Sequence, residues 1–367
     1  MIDLKHCNRV WMITDTHLGV RNSLEEWIEI QRDYFYNDFL PRVKREYKPG
    51  DVLFHLGDVF DSRHAITLKV LDLALDIFEA LGSIFDNGVY IIAGNHDCWY
   101  KTTNEINSLK VIKRIPNIHV FDMLPETIQV GDRKFLMMPW QKDHTADVEA
   151  IQKYGKDHDY LMCHMDVYGM KGSKFNTMDT GVDTKAFSLF KQVYSGHIHY
   201  AQKMKNITML GSPYELTRSD MYNQKGITIL NVETDTETFY PNETSPRFVS
   251  ITMTSVLEKS PEELKAYMKG NFVDIQVDSP NFLKIPINSI VELLDNAFRS
   301  INFIPPSFSN IQDDLDDTPD AELKDFDIKD TITKFCVESA YDLDTKKKLE
   351  DSLIKLYDRT IEQYAAK

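Results

Sequence analysis

No run of about 18 apolar residues occurs in this chain, so nothing in it reads as a membrane-spanning helix. Cysteine is scarce: four in 367 residues (Cys7, Cys98, Cys163 and Cys336), spaced like neither a zinc finger nor a disulfide framework. They read as reduced thiols, which points to a cytoplasmic protein. The opening Met1-Ile2-Asp3-Leu4-Lys5-His6 lacks the apolar core of a signal peptide. Positive charge is also short, with 42 Lys and Arg against 57 Asp and Glu and a formal net charge of −15. That balance disfavours a polyanion partner, but it is uneven along the chain. Between Asn310 and Asp330 nine acids face two lysines, which accounts for −7 and leaves −8 elsewhere. There is no internal repeat, and no low-complexity tract beyond this acidic one.

What is present is a regular alternation of short apolar runs with amphipathic stretches over the first 240 or so residues. Expected strands are Val10–Ile13, Val52–Leu56, Val89–Ile92, Phe135–Met138, Leu161–Cys163, Val193–Ser195, Ile207–Leu210 and Ile227–Val232. Helical spacing marks Ser23 to Glu46 (Trp27, Ile30, Tyr34, Phe35) and Thr67 to Phe85 (Leu71, Leu75, Phe78, Leu81). This pattern predicts an α/β fold, a layered αββα sandwich, with ligands gathered at the carboxyl ends of its strands. After Pro246 the pattern becomes strand (Phe248–Met253), helix (Pro261 to Lys269, capped by Ser260) and strand (Phe272–Val277), with a further helix over Ile287 to Phe298. This is a small appended α+β domain. The expected boundaries are 1–245, 246–303, an acidic linker at 304–330 and a helical tail at 331–367. In that tail Leu349, Leu353, Leu356, Tyr357, Ile361 and Tyr364 share one helical face.

Five segments carry the chemistry: Asp15-Thr16-His17, Gly57-Asp58, Gly94-Asn95-His96-Asp97, Cys163-His164 and Gly196-His197-Ile198-His199. Each follows an expected strand, and together they supply carboxylates, one amide and five of the chain's eleven histidines. A two-metal hydrolytic site needs such oxygen and imidazole donors, a bridging anion and a water between the ions. Alone, Asp-x-His or Gly-His-x-His is a weak signal. The ordered set of five is a strong one.

That set resembles the calcineurin-like metallophosphoesterases across roughly the first 240 residues. The resemblance implies that Asp15, His17, Asp58 and His199 hold one metal. It implies that Asp58 bridges to a second, completed by Asn95, His164 and His197. His96 then stabilises the scissile phosphate or protonates the leaving oxygen, and Asp61 orients His96. Asp97 is expected to fix the turn. The donors suit two divalent ions, Mn²⁺ first, with Mg²⁺, Fe, Zn or Co possible.

Within the superfamily, protein phosphatases carry Gly-Asp-x-Val-Asp-Arg-Gly and Gly-Asn-His-Glu. Here the text is Gly57-Asp58-Val59-Phe60-Asp61-Ser62-Arg63 and Gly94-Asn95-His96-Asp97. These motifs, with Asp15-Thr16-His17-Leu18-Gly19, Ala65-Ile66-Thr67, Pro139-Trp140 and Gly211-Ser212-Pro213, look like the double-strand-break repair nucleases of the SbcD and meiotic-recombination type, and above all their T-even phage form. Cellular relatives often carry histidine where Asp61 stands. The resemblance implies a Mn²⁺-dependent DNA exo- or endonuclease, a homodimer working with an ABC-type ATPase in end processing, recombination and repair. The appended domain then caps the site, the terminal helices dock on the ATPase coiled coil, and the setting is the cytoplasm, the host's for a phage protein. The rival readings are a phosphodiesterase or phosphatase for small molecules or phosphoproteins, and a non-catalytic scaffold, which typically loses ligands this chain keeps.

Overall fold

The computed structural model describes residues 1–304 apart from 5, 175, 280, 281, 283–286, 295 and 296, together with 333, 336 and 346–355. Two mixed sheets form the centre. One has six strands in the order β13 (Thr236–Pro241), β12 (Gly226–Asn231), β2 (Arg9–Ile13), β3 (Val52–His55), β4 (Val89–Ile92) and β5 (Ile118–Phe121). The other has seven: β1 (Ile2–Leu4), β6 (Glu126–Val130), β7 (Arg133–Met137), β8 (Tyr160–His164), β9 (Gln192–Gly196), β11 (Ile207–Met209) and β10 (Gln202–Met204).

Side-chain alternation along the strands explains the layering. Val10 and Met12 join Val52, Phe54, Phe135, Met137, Tyr160 and Met162 between the sheets. Their neighbours Trp11 and Ile13 point the other way, into a core shared with the helices Glu25–Asp33 and Leu68–Ile84. On the second sheet, Leu136, Leu161, Cys163 and Val193 face outward to Ile151 of the helix His144–Tyr154. The order of layers is helix, sheet, sheet, helix. β2, β3 and β4 run parallel in register, Val10 beside Val52 and Leu53 beside Val89; β8 and β9 also run parallel. The loops after all five strands therefore leave from carboxyl ends, and the sequence segments above lie on these loops or, for Cys163-His164, at the last residues of β8 itself.

Two local departures from the sequence expectation have physical causes. Ser23 to Glu46 is not one helix: Glu25–Asp33 passes into a π-helical turn, Tyr34–Phe39, before Leu40–Glu46 resumes. Pro41 has no N–H to close an ordinary turn, and a widened turn accommodates its ring. In Leu68–Ile84 the buried face is Val70, Leu73, Ala74, Ile77, Phe78 and Leu81, and Leu71 and Leu75 lie at its half-buried edges.

Residues beyond Pro246 build a three-stranded parallel sheet, β14 (Phe248–Thr252), β15 (Phe272–Gln276) and β16 (Ser300–Ile304), with helices Met253–Glu258, Pro261–Met268 and Ile287–Leu294. Ser260 caps its helix reciprocally with Glu263. The small sheet is joined to the sandwich by Trp27, stacked on Phe272 at 5.3 Å, and by Arg218, whose guanidinium grips both oxygens of Asp274 at 2.7 and 3.1 Å.

Contacts divide the chain into two compact units, Met1–Ser309 and Asn310–Lys367. The acidic tract lies outside the described residues. In the second unit residues 346–355 are helical, and the Thr333 hydroxyl donates to Glu350 at 2.7 Å. The remainder of the expected terminal helix lies outside the described residues. Among the described residues no helix is long and apolar enough to cross a membrane.

Candidate metal centre

The loops after β2 and β3 run side by side. Asp15 N–H donates to Gly57 O, His17 N–H to Asp58 O, and Leu18 N–H to Val59 O, at 2.8–3.0 Å. This ladder turns Asp15 and His17 inward at φ of 51° and 41°, and Asp58 at 53°. Such left-handed backbone costs about 1–3 kcal/mol per residue and persists only where its surroundings over-determine it. Gln31, fully buried, does part of this: its amide donates to Thr16 O and His17 O at 3.2 and 2.7 Å, and its carbonyl accepts from Gly19 N–H at 3.0 Å. Asp97 fastens the next loop to the second, since its carboxylate accepts from Val59, Phe60 and Gly94 N–H at 3.0, 3.2 and 2.9 Å. The loops meet so closely that a Cβ on Gly94 would lie 2.2 Å from the Asp58 carboxylate, and one on Gly57 would lie 2.6 Å from His164 Nδ1. Only glycine fits at either place.

Three overlapping ligand groups result, each with its donor atoms within 4.8 Å of one another: Asp15, His17 and His199; His17, Asp58 and His96; Asp58, His164 and His197. Asn95 extends the third, with Oδ1 2.9 Å from His164 Nε2 and 2.8 Å from His197 Nδ1. Asp58 Oδ2 stands between the ends, 3.2 Å from His164 Nε2 and 3.5 Å from His17 Nε2.

The rings are held by their far nitrogens, an arrangement typical of metal-binding histidines. His164 Nδ1 donates to Leu56 O at 2.7 Å, leaving Nε2 for the centre. His17 Nδ1 meets the Asp61 carboxylate at 3.1 Å, and its Nε2 faces His199 Nε2 at 3.1 Å. His197 Nε2 pairs with Asp166 at 2.9 Å, freeing Nδ1. The inward nitrogens, the amide oxygen and the acids are the hard and borderline donors that divalent ions take. The residues present fit such ions.

Electrostatics points the same way. Burial disfavours protonation of His17, yet Asp61, Asp58 and Asp15 outweigh it and lift the imidazole to about 9. Burial is likewise overcome at His164, chiefly by Asp58, to about 9. Burial is overcome at Asp58 too, where His164 and His96 hold the carboxyl well below its usual range. His199, desolvated and facing His17, is pushed down to about 4. A pocket with this surplus of buried negative charge attracts a cation as readily as a proton.

The nine site residues expected from the sequence converge here, with one correction. The Asp61 carboxylate does not orient His96; it pairs with His17. The oxygen that receives His96 Nδ1, at 2.7 Å, is the main-chain carbonyl of Asp61. Residue spacing brings the whole of Asp61 to this place but does not say which of its oxygens faces which ring.

The sequence reading missed Asp166, although His164-Met165-Asp166 places it two residues on from a ligand. It also missed Gln31, a polar residue on the apolar stripe of Trp27 and Tyr34, and Lys225, whose ammonium donates to His199 O at 2.6 Å, Ser212 Oγ at 3.1 Å and Asp220 at 2.5 Å. His55 is a buried neighbour: it bonds Thr16 Oγ1 at 3.0 Å, and desolvation lowers it to about 3. Cys98 and Cys163 are buried thiols donating to Gly94 O and Tyr194 O, and burial pushes Cys163 up to about 12.

Residues 8–201, over half of the chain, match the family model of the calcineurin-like phosphoesterases, and the chain belongs to that family. It is therefore an enzyme of the metal-dependent phosphoesterase class. Exonuclease subunit 1 of Enterobacteria phage T4 is 28% identical to it over 246 residues, covering 65% of this chain and 68% of the phage protein. Among solved structures, an archaeal phosphodiesterase is similar over 64% of this chain and 99% of its own, with 14% identity and a TM-score of 0.34. A protein of unknown function from Aquifex aeolicus covers 50% and 93%, with 15% identity and a TM-score of 0.28.

Proposed function

We propose that this protein is a Mn²⁺-dependent DNA nuclease that hydrolyses phosphodiester bonds. The observation that carries the reading is the shared position of Asp58 and His17 across three ligand groups, with His96 beside both in the middle one. Asp15, His17, Asp58 and His199 would hold one ion, and Asp58, Asn95, His164 and His197 the other. Two such ions, when bound, lower the pKa of a water between them and neutralise charge developing on the phosphate oxygens. The chain's own contribution begins with His96. Its Nδ1–H is taken by the carbonyl of Asp61, so Nε2 is the atom that meets the scissile phosphate and passes a proton to the leaving oxygen. His17, His164 and His197 keep fixed tautomers through Asp61, Leu56 and Asp166.

DNA as substrate is supported by the similarity to the phage exonuclease subunit. That relative's designation as a subunit also favours a partner, read here as an ABC-type ATPase engaged by the terminal helices of residues 331–367. Residues 246–303 would cap the site, the acidic 304–330 would link it to the tail, two copies would act together, and the setting would be a host cytoplasm. The test is digestion of end-labelled duplex and single-stranded DNA with Mn²⁺, Mg²⁺ or chelator, with and without the cognate ATPase. Expected is Mn²⁺-dependent cutting of linear DNA. Turnover of bis-p-nitrophenyl phosphate with intact DNA under every condition would overturn it.

A further inference from the structure

We infer that the loop Cys98–Asn107 carries a stacking platform for unpaired bases of the strand being cut. The inference deepens the nuclease reading and rests on it. The loop begins two residues after His96. Cys98 and Asn107 bridge antiparallel, and Trp99 N–H donates to Ile106 O at 2.9 Å, so Trp99 and Ile106 are paired across it. Its base is pinned: Ser108 N–H donates to Asp97 O at 2.8 Å, the Asn104 amide to Trp140 O at 2.9 Å, and the Asn107 amide to Asp122 at 3.1 Å.

On this pinned base three large apolar side chains stand in water: Trp99 43%, Tyr100 45% and Ile106 51% exposed. Single exposed apolar residues are ordinary, but a cluster on a rigid loop beside a catalytic site marks a binding surface. The neighbouring loop supports it. His64 sets its ring edge-on to Trp99, with centroids at 4.8 Å and an interplanar angle of 86°, and the Arg63 guanidinium donates to Cys98 O at 3.4 Å. The loops that carry Asp58 and His96 thus build the platform jointly.

Its occupant must be flat and covalently continuous with a phosphate at His96. An unpaired base next to the scissile bond meets both conditions, because every base has a π-face and aromatic side chains bind it with little regard to sequence. Bases inside a duplex already spend their faces on each other. The platform therefore engages single strands and frayed duplex ends, and the enzyme prefers them.

Tryptophan fluorescence reads this directly. Of the four tryptophans, Trp11 and Trp27 are buried and Trp140 is half-buried, so Trp99 is the one open to a ligand. In the full-length chain carrying His96→Ala, to bind without cutting, oligo-dT should quench the emission and Trp99→Phe should remove most of that quench. Trp99→Ala should weaken oligo-dT binding about tenfold or more while leaving the affinity for an abasic deoxyribose-phosphate oligomer as it was. A chain that binds no oligonucleotide at all would sink the nuclease reading itself. Binding with unquenched emission, or equal affinity in Trp99→Ala, would overturn the platform alone. So would loss of ATPase co-purification in Trp99→Ala with DNA affinity unchanged, which would give the patch to a protein.

Discussion

Asp61 offers two oxygens to two different histidines, and substitution can separate their roles. Its carboxylate lies 3.1 Å from His17 Nδ1, while its main-chain carbonyl lies 2.7 Å from His96 Nδ1. Asp61→Asn keeps the carbonyl and an oxygen that can accept from His17, and loses only the charge. Asp61→Ala loses the side-chain acceptor as well. A carboxylate that accepts from His17 Nδ1–H fixes the ring and raises the basicity of the metal-facing Nε2. The side chain is 27% exposed, so solvent screens part of this. Carboxylates supporting a ligand histidine typically account for about 10–100-fold in metal affinity, or about 1.4–2.8 kcal/mol. Asp61→Asn should therefore weaken one Mn²⁺ site about tenfold and Asp61→Ala nearer 100-fold. Turnover at saturating metal should remain close to the parent in both, because the partner of His96 is main chain. Calorimetric Mn²⁺ titration into stripped protein, with bis-p-nitrophenyl phosphate turnover followed against metal concentration, measures both quantities. A fall in kcat that excess metal does not repair, with affinity unchanged, would refute this reasoning and return the carboxylate to His96.

Other expectations follow from the same geometry. His96→Ala should lower cleavage by about 10²–10⁴-fold with metal content still near two ions per chain by elemental analysis; cutting at the parent rate would remove its role. Asp166→Asn should weaken only the site that contains His197, again about 10–100-fold, so a two-step metal titration with both steps unmoved counts against it. Burial pushes the Glu215 carboxyl from 4.5 to about 7, against the opposing pull of the Phe248 N–H and Lys225. The folded chain then holds a proton that the unfolded chain releases, so this contribution to stability is complete below about pH 4.5 and is lost as pH climbs to about 7. Glu215→Gln keeps the acceptor for Phe248 without titrating. The stability of the parent relative to this variant should fall by a few kcal/mol at most over that window, at about 1.4 kcal/mol per pH unit; a flat difference in urea unfolding would contradict the assignment.

The central strands were legible because each is an apolar run ending in a polar loop: β2, β3, β4, β8 and β9 lie within a residue or two of where composition puts them. The strands that composition did not reveal, β1, β5, β6, β10, β13 and β16, are short or peripheral. β13 reads Thr-Glu-Thr-Phe-Tyr-Pro with mostly open side chains and needs no apolar signature. The residues that converge at the strand ends were legible for the same reason as the central strands. What spacing could not carry was direction: which oxygen of Asp61 faces which ring, or that the Arg218 guanidinium turns to Asp274. The first depends on left-handed backbone at Asp15, His17 and Asp58, for which non-glycine residues leave no compositional trace. Helix Glu25–Asp33 was legible as apolar spacing, but Gln31 on its buried side became meaningful only once three main-chain partners stood around it.

One feature of the six-stranded sheet bears on how the protein is made. β2 sits between β3 and β12, and its antiparallel register with β12 pairs Arg9 with Asn231. At ordinary translation rates, the interval between those two residues leaving the ribosome is about 10–45 s. Throughout it, one edge of an apolar strand stands open and the imidazoles at 197 and 199 for most of that time do not yet exist. The open interval lengthens as translation slows, and a metal supplied early has nothing complete to enter.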